Sequence, residues 1–285
     1  MKPTAFRYHA PKTLAEAVAV LAEVAPEDGR VLAGGQSLVP IMAFRLAKPA
    51  HLVDINGIDE FAILRAEGDK LRIGACVRHA AFYRPVCDGP LGRLLAAVVR
   101  HIAHHPIRTR GTFCGSIAHA DPASEWCAVV ATLDGEMVAH SNRGIRIVPA
   151  KQYFDGIMTT VLDDHELLTE VRLPLLPPDT RFGFCEFARR AGDFALAMAL
   201  VTYRLEDGKV AEPRVGIGGA EAYPRRVSEA ETALAGQQPN AAVFQAAAEA
   251  AAAAIEPLVD LTTSADYRRD LVRAMVRRAL ERAAA

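Results

Sequence analysis

The sequence predicts a chain of mixed helices and strands in two units that meet near residue 175. Three observations carry that expectation. Up to Leu173, apolar runs of strand length alternate with stretches of helical period. Pro174, Pro177 and Pro178 then interrupt both kinds of regular structure. Beyond them come several strand-like runs and then long helical ones, a change of pattern that marks a second unit. At 285 residues a chain buries about three quarters of its unfolded surface, so it needs no disulfide or metal staple.

In chain order, Leu14, Ala17, Val18 and Leu21 form a helical stripe, with Thr13 as N-cap, Glu16 completing a capping box and Gly29 closing the unit. Arg30–Ala33 reads as a short buried strand running into Gly34-Gly35-Gln36-Ser37. Leu38–Leu46 reads as a helix with Pro40 in its first turn. His51–Ile55 and Lys70–Val77 read as strands. Leu91–His105 has helical spacing and is expected to end at Pro106. Glu136–His140 and Arg143–Val148 form a hairpin about Asn142-Arg143-Gly144, and Leu167–Leu173 is a further strand. In the second unit, Phe182–Ala188, Ala197–Leu205 and Arg214–Ile217 read as strands. Ser228–Leu234, the alanine-rich Ala241–Ile255 and Tyr267–Arg282 read as helices.

Composition excludes several classes. Lys plus Arg is 33 against 34 Asp plus Glu, a net charge of −1, which argues against a general nucleic-acid binder. With 51% apolar and 24% charged residues the chain is globular rather than disordered. The longest apolar run, Phe194–Val201, is far short of the ~20 residues of a membrane span. The N-terminus lacks a signal-peptide core, so a cytoplasmic protein without membrane insertion is expected. Cys76, Cys87, Cys114, Cys127 and Cys185 are scattered, with no C-x-x-C, which argues against a zinc ribbon or an iron–sulfur centre within this chain.

Two loops carry the chemistry. Ala33-Gly34-Gly35-Gln36-Ser37 lies between a strand and a helix, where paired glycines admit positive φ and leave several amides free to face an anion. Gln36 and Ser37 add side-chain donors. A plain turn is the rival reading. Gly111-Thr112-Phe113-Cys114-Gly115-Ser116-Ile117 is a second small-residue loop, so the pair could grip the two phosphates of a dinucleotide. Asp121-Pro122-Ala123-Ser124-Glu125 could accept hydrogen bonds from ribose hydroxyls, or simply open a helix with Pro122 and Glu125 in its first turn. The trio His101, His104, His105 suggests zinc only superficially, because no third ligand is identifiable and a helix C-terminus favours histidine anyway.

The ordered set Phe6-x-Tyr8-x-x-Pro11, Val31-Leu32-Ala33-Gly34-Gly35-Gln36-Ser37-Leu38-Val39-Pro40, Leu52-Val53-Asp54-Ile55, Ile107-Arg108-x-Arg110-Gly111-Thr112, His119-Ala120-Asp121-Pro122-Ala123 and Arg189-Arg190-x-Gly192-Asp193-Phe194 resembles the FAD-binding medium subunit of the molybdenum hydroxylases, the carbon monoxide dehydrogenase and xanthine dehydrogenase family. The resemblance implies an α+β fold: residues 1–175 as an FAD-binding domain of the vanillyl-alcohol-oxidase (PCMH) type with two subdomains, and residues 176–285 as a small antiparallel sheet with a helical bundle. It implies non-covalent FAD. Leu32, Ala33, Gly34, Gly35, Gln36, Ser37, Leu38 and Val39 would wrap its pyrophosphate, and Gly111, Thr112, Cys114, Gly115 and Ser116 would form the second loop. Ile102 and Leu168 would pack on the cofactor, Glu125 would lie near the ribose, and Phe194 by the flavin ring. No catalytic side chain and no metal ligand is implied.

The resemblance also implies partners: a small subunit with two [2Fe-2S] clusters and a large subunit with molybdenum-cytosine dinucleotide, assembled as a dimer of heterotrimers. Electrons would pass from the clusters to FAD and on to an external acceptor. Three departures stand out. Cys114 and Ser116 replace the Gly and Asn of the family's T-x-G-G-N, Glu186 stands where many members have Lys, and Gln36 stands where carbon monoxide dehydrogenases have His. Gln36 and the altered second loop favour an organic, N-heterocyclic substrate over carbon monoxide. Cys114 and Glu186 are also the support for a rival reading, a flavin-free scaffold that bridges partner chains.

Overall fold

The computed structural model describes residues 1–285. Helix α1 (Leu14–Val24) begins as its sequence dictates, the Thr13 hydroxyl accepting from the Glu16 amide at 3.2 Å. The Glu16 carboxylate reaches one residue beyond a capping box, to the Lys12 amide at 2.7 Å. The stripe Ala17, Val18, Leu21 and Val24 is buried. Asp28, in the left-handed region, makes the turn expected of Gly29. Gly29 instead opens β2 because a Cβ there would lie 2.4 Å from the Val24 side chain.

Strands β1 (Arg7–His9), β3 (His51–Asp54) and β2 (Gly29–Leu32) form a parallel sheet in that order, and α2 (Leu38–Ala43) follows β2. A second, antiparallel sheet has the order β4 (Leu64–Glu67), β5 (Lys70–Gly74), β10 (Leu167–Pro174), β6 (Glu136–Ser141), β7 (Gly144–Pro149). The β6–β7 hairpin turns at Asn142-Arg143 as predicted. A short hairpin, β8 (Phe154–Gly156) and β9 (Thr159–Thr160), stands beside it. These two sheets, with α3 (Gly89–Val98), α4 (His105–Arg110), α5 (Phe113–His119) and α6 (Glu125–Thr132), form the two α+β lobes.

The helix expected over Leu91–His105 ends at Val98, and Pro106 opens α4 rather than closing α3. Proline is at home there, as the second residue of α4, since the N–H groups of a helix's first turn have no intrahelical acceptor. His101 thus lies in a turn, His104 is the N-cap of α4, and His105 its first residue. The trio does not sit together at a helix C-terminus.

The third sheet is antiparallel: β11 (Arg181–Phe187), β12 (Ala197–Glu206), β13 (Lys209–Gly218) and β14 (Arg225–Arg226), in that order. Every residue of β12 from Ala197 to Tyr203 is buried, and the two-residue period of a strand explains why. Met198 and Leu200 join the core of the first two sheets. Ala197, Ala199, Val201 and Tyr203 join the core under α7 (Ser228–Leu234), α8 (Ala241–Ala254) and α9 (Ala265–Ala284). The sheet is a filling between two layers of helices.

Candidate functional site: a two-loop cleft

At the end of β2 the chain runs through Ala33-Gly34-Gly35-Gln36-Ser37 into α2. The two glycines have different jobs. Gly35 has φ of 71°, the left-handed conformation that glycine tolerates without strain. Gly34 is needed for proximity: a Cβ there would lie 2.5 Å from the Arg110 carbonyl oxygen and 2.6 Å from the Gly111 Cα. The two loops therefore touch backbone to backbone. The amides of residues 33–38 find no acceptor in the chain. One N–H of the Gln36 side-chain amide is turned back onto the Gly34 carbonyl at 3.0 Å, so of its two donors only one is left.

The second loop is the start of a helix rather than a turn. Thr112 caps α5, its hydroxyl accepting from the Gly115 amide at 3.0 Å. Phe113 and Ile117 face the core. The Cys114 thiol donates to the Ile73 carbonyl at 3.4 Å, so the residue that departs from the family pattern is absorbed by the sheet beneath. Burial pushes that thiol well above its usual range, and it is no thiolate. Gly111 leaves room for His79, whose Nε2 would lie 2.6 Å from a Cβ at that position.

These loops open on a cavity of about 740 Å³. Leu32 to Leu38, Ile102, Gly111, Thr112, Cys114, Gly115, Ser116, Glu125, Leu168 and Phe194 all line it. Val39 does not: it is half exposed on the outer side of α2. Phe194 stands at the rim, 71% exposed. Ile102 is presented by Arg108, whose guanidinium donates to the carbonyls of Ile102 at 2.6 Å and Ala103 at 2.9 Å, and to the Tyr83 hydroxyl at 2.8 Å.

The floor of the cavity is acidic. Asp121 accepts from the Ala123 amide at 2.8 Å. Pro122 precedes α6 instead of lying within it, and Glu125 is the first helical residue. Burial, with the Asp121 charge adding to it, raises the Glu125 carboxyl to about 7. Behind it Glu186 is raised to about 8, by burial first and by Glu125 second. Its Oε2 has no hydrogen-bond partner, and the nearest cation candidate, His101 Nδ1, is 3.9 Å away. Glu186, the residue that departs from the lysine of many family members, is thus a second buried acid beside Glu125.

Sequence reasoning missed His79, Thr160 and Asp163, which also line the cavity, and Asn56 and Arg78, which bridge the loops from outside it. They come from the turn after β3, the start of a short 3-10 helix (His79–Tyr83) and the segment at and after β9, all far away in sequence, and no local pattern marks them.

A cradle of six free amides, two close-approach glycines and nearby carboxyls fits a pyrophosphate joined to a ribose. The cavity's apolar share, with Ile102 and Leu168, fits an aromatic ring system. Comparison with known proteins agrees. Residues 4–176 match the family described as the FAD binding domain in molybdopterin dehydrogenase, and residues 182–283 the CO dehydrogenase flavoprotein C-terminal domain. The chain is 38% identical to the nicotine 6-hydroxylase medium subunit of Paenarthrobacter nicotinovorans, covering 100% of this chain and 99% of that one. It is 36% identical to the caffeine dehydrogenase subunit beta of Pseudomonas sp. (strain CBB1), over 100% and 96% of the two chains. Among solved structures, a carbon monoxide dehydrogenase from Hydrogenophaga pseudoflava superposes with a TM-score of 0.95 at 38% identity, over 99% of this chain and 98% of that one. Quinoline 2-oxidoreductase from Pseudomonas putida 86 superposes at 0.92 with 35% identity, over 100% and 98%. The motifs, the fold and the cleft converge: the chain belongs to the FAD-binding medium subunits of the molybdenum hydroxylases, the carbon monoxide dehydrogenase and xanthine dehydrogenase family.

Proposed function

We propose that this oxidoreductase subunit receives electrons from [2Fe-2S] clusters in a small partner subunit, holds them on non-covalent FAD, and passes them to an external acceptor. A large partner subunit with molybdenum-cytosine dinucleotide would oxidise the substrate, in a dimer of heterotrimers in the cytoplasm. No helix of the chain is long and apolar enough to cross a membrane. The observation that carries the reading is the row of unpaired amides at residues 33–38, facing a second loop only a backbone contact away.

Each part of the cleft has a task. The amides of residues 33–38 bind the pyrophosphate, and Thr112 to Ser116 close on it from the opposite side. Asp121 and Glu125 accept from ribose hydroxyls. Ile102 and Leu168 orient the ring system and exclude water around it. FAD held there would supply the redox chemistry, the capacity for one-electron uptake and release. The substrate is an N-heterocycle, a reading supported by relatives named for nicotine, caffeine and quinoline.

The test is direct. The purified chain should be yellow, and acid precipitation should release all the flavin as FAD. Colour left in the pellet would overturn the non-covalent reading. Co-expressed with its two partner subunits, the flavin should bleach when an N-heterocyclic substrate is added. Alone, the chain should show no substrate-dependent turnover, and turnover by it alone would overturn the subunit reading.

A further inference from the structure

The two loops touch through Gly34 and Gly111 but share no hydrogen bond of their own. Contact without a bond leaves the separation of the loops soft. Two side chains from other segments supply the missing tie. Asn56 follows β3, and its side-chain N–H donates to the Ala33 carbonyl at 2.7 Å and to the Asp54 carboxylate at 2.6 Å. Its side-chain oxygen accepts from Arg78 at 2.6 Å. The other arm of Arg78 donates to the Arg110 carbonyl, just before the second loop. The chain of bonds runs from Ala33 through Asn56 and Arg78 to Arg110.

The anchor of this chain is fixed. Asp54 also accepts from the Tyr8 hydroxyl and the Asn56 amide. Burial opposes its charge, but these hydrogen bonds and the Arg78 guanidinium outweigh burial and hold the carboxyl below its usual range. Asp54 is therefore a full acceptor at neutral pH, which fixes the Asn56 amide with its N–H toward Ala33 and its oxygen toward Arg78. The planar guanidinium then spans both partners at once, a geometry that lysine cannot reproduce.

We infer that Asn56 and Arg78 form a single clamp that sets the spacing of the two dinucleotide loops, and that they act as positioning residues for the pyrophosphate of FAD. The inference rests on the proposed FAD site. Asn56 is exposed, and its loss opens no cavity in the core. A clamp of this kind is felt by the ligand that both loops must grip together, and little by the fold.

The experiment measures FAD dissociation constants of the apoprotein by flavin fluorescence, with ADP as a second probe, for the wild type, Arg78→Met, Asn56→Ala and the double variant. Apoprotein unfolding midpoints are measured in parallel. Each single variant should bind FAD about tenfold to a hundredfold more weakly, with ADP weakened in step and the midpoint unchanged. The double variant should be no worse than either single one, because residues acting as one unit are not additive. Arg78→Lys should restore only part of the affinity. Unchanged FAD affinity, additive losses, or a fall in apoprotein stability as large as the loss in binding would each overturn the clamp. A wild type that binds no FAD would overturn the site beneath it as well, so the two failures are distinct.

Discussion

The indole N–H of Trp126 donates to His79 Nδ1 at 2.9 Å, with both residues buried beneath the cavity. Because an indole nitrogen can only donate, Nδ1 must accept, and the neutral ring carries its proton on Nε2. Nε2 faces Gly111 at the mouth of the second loop. The His79 amide also donates to the Gly111 carbonyl at 3.0 Å. A neutral histidine is thus built into the support of the second loop.

The protein should lose stability in mild acid through this residue. Burial first, then the charges of Arg78 and Arg108, depress His79 to about 4, against about 6.5 in an unfolded chain. Between those values the unfolded state binds the extra proton. Stability is therefore full above pH 6.5 and falls toward pH 4, by at most about 3 kcal/mol. Chemical denaturation from pH 7 to 4 should show the loss. His79→Gln keeps an acceptor for Trp126 without a titrating group, and should flatten that part of the curve.

Glu186 should act in the opposite sense. Its carboxyl is raised by burial and by Glu125 to about 8, so the folded state holds a proton that the unfolded chain releases near 4. Its contribution is favourable at low pH and is lost as pH rises toward 8. Glu186→Gln should raise the unfolding midpoint at pH 8.5 by several degrees and leave it nearly unchanged at pH 5. An equal effect at both values would show that ionisation is not the cause.

Gly35→Val should abolish FAD binding while leaving most of the fold. With φ of 71°, a β-branched residue is strained, and its Cβ would press on Leu32 and Val39 at 3.2 Å. The neighbouring amides would lose their alignment toward the pyrophosphate. The absorbance spectrum of the purified variant reports flavin, and circular dichroism reports the fold.

Gly216→Ala should be among the most damaging single-methyl changes in the chain. A Cβ there would lie 1.7 Å from Thr132 Oγ1, and that hydroxyl is already committed to the Ala128 carbonyl at 2.6 Å. The strand and α6 must part to admit it, at about 1–3 kcal/mol or more. Denaturant melts would show the loss, and Thr132→Ala should relieve part of it.

Much of the fold was legible in the sequence, because most elements announce themselves locally. Thr13 before a stripe, the Asn142-Arg143-Gly144 turn and the alanine run each need only their neighbours. The failures came where one residue type serves opposite purposes. Pro106 can end one helix or begin the next, and the choice depends on where Arg108 draws the chain by binding the carbonyls of Ile102 and Ala103. The glycine loops were visible as candidates for a phosphate. That they grip from opposite sides was an expectation too, but the backbone contact between residues 34 and 110 that sets them face to face depends on the tertiary fold and was not legible. Nor could Asn56 or Arg78 be singled out, since both look like ordinary surface residues until the turn after β3 meets the second loop.

The doubly covered sheet of β11 to β13 has a consequence for how the molecule melts. Its strands give alternate side chains to two apolar cores, and glycines at 183 and 216 bring backbone against α9 on one side and the α6 side chains on the other. Neither half can come apart without stripping one face of the same sheet. Heat should therefore dissolve both halves in one calorimetric transition, and the cofactor should leave in that same event rather than before it.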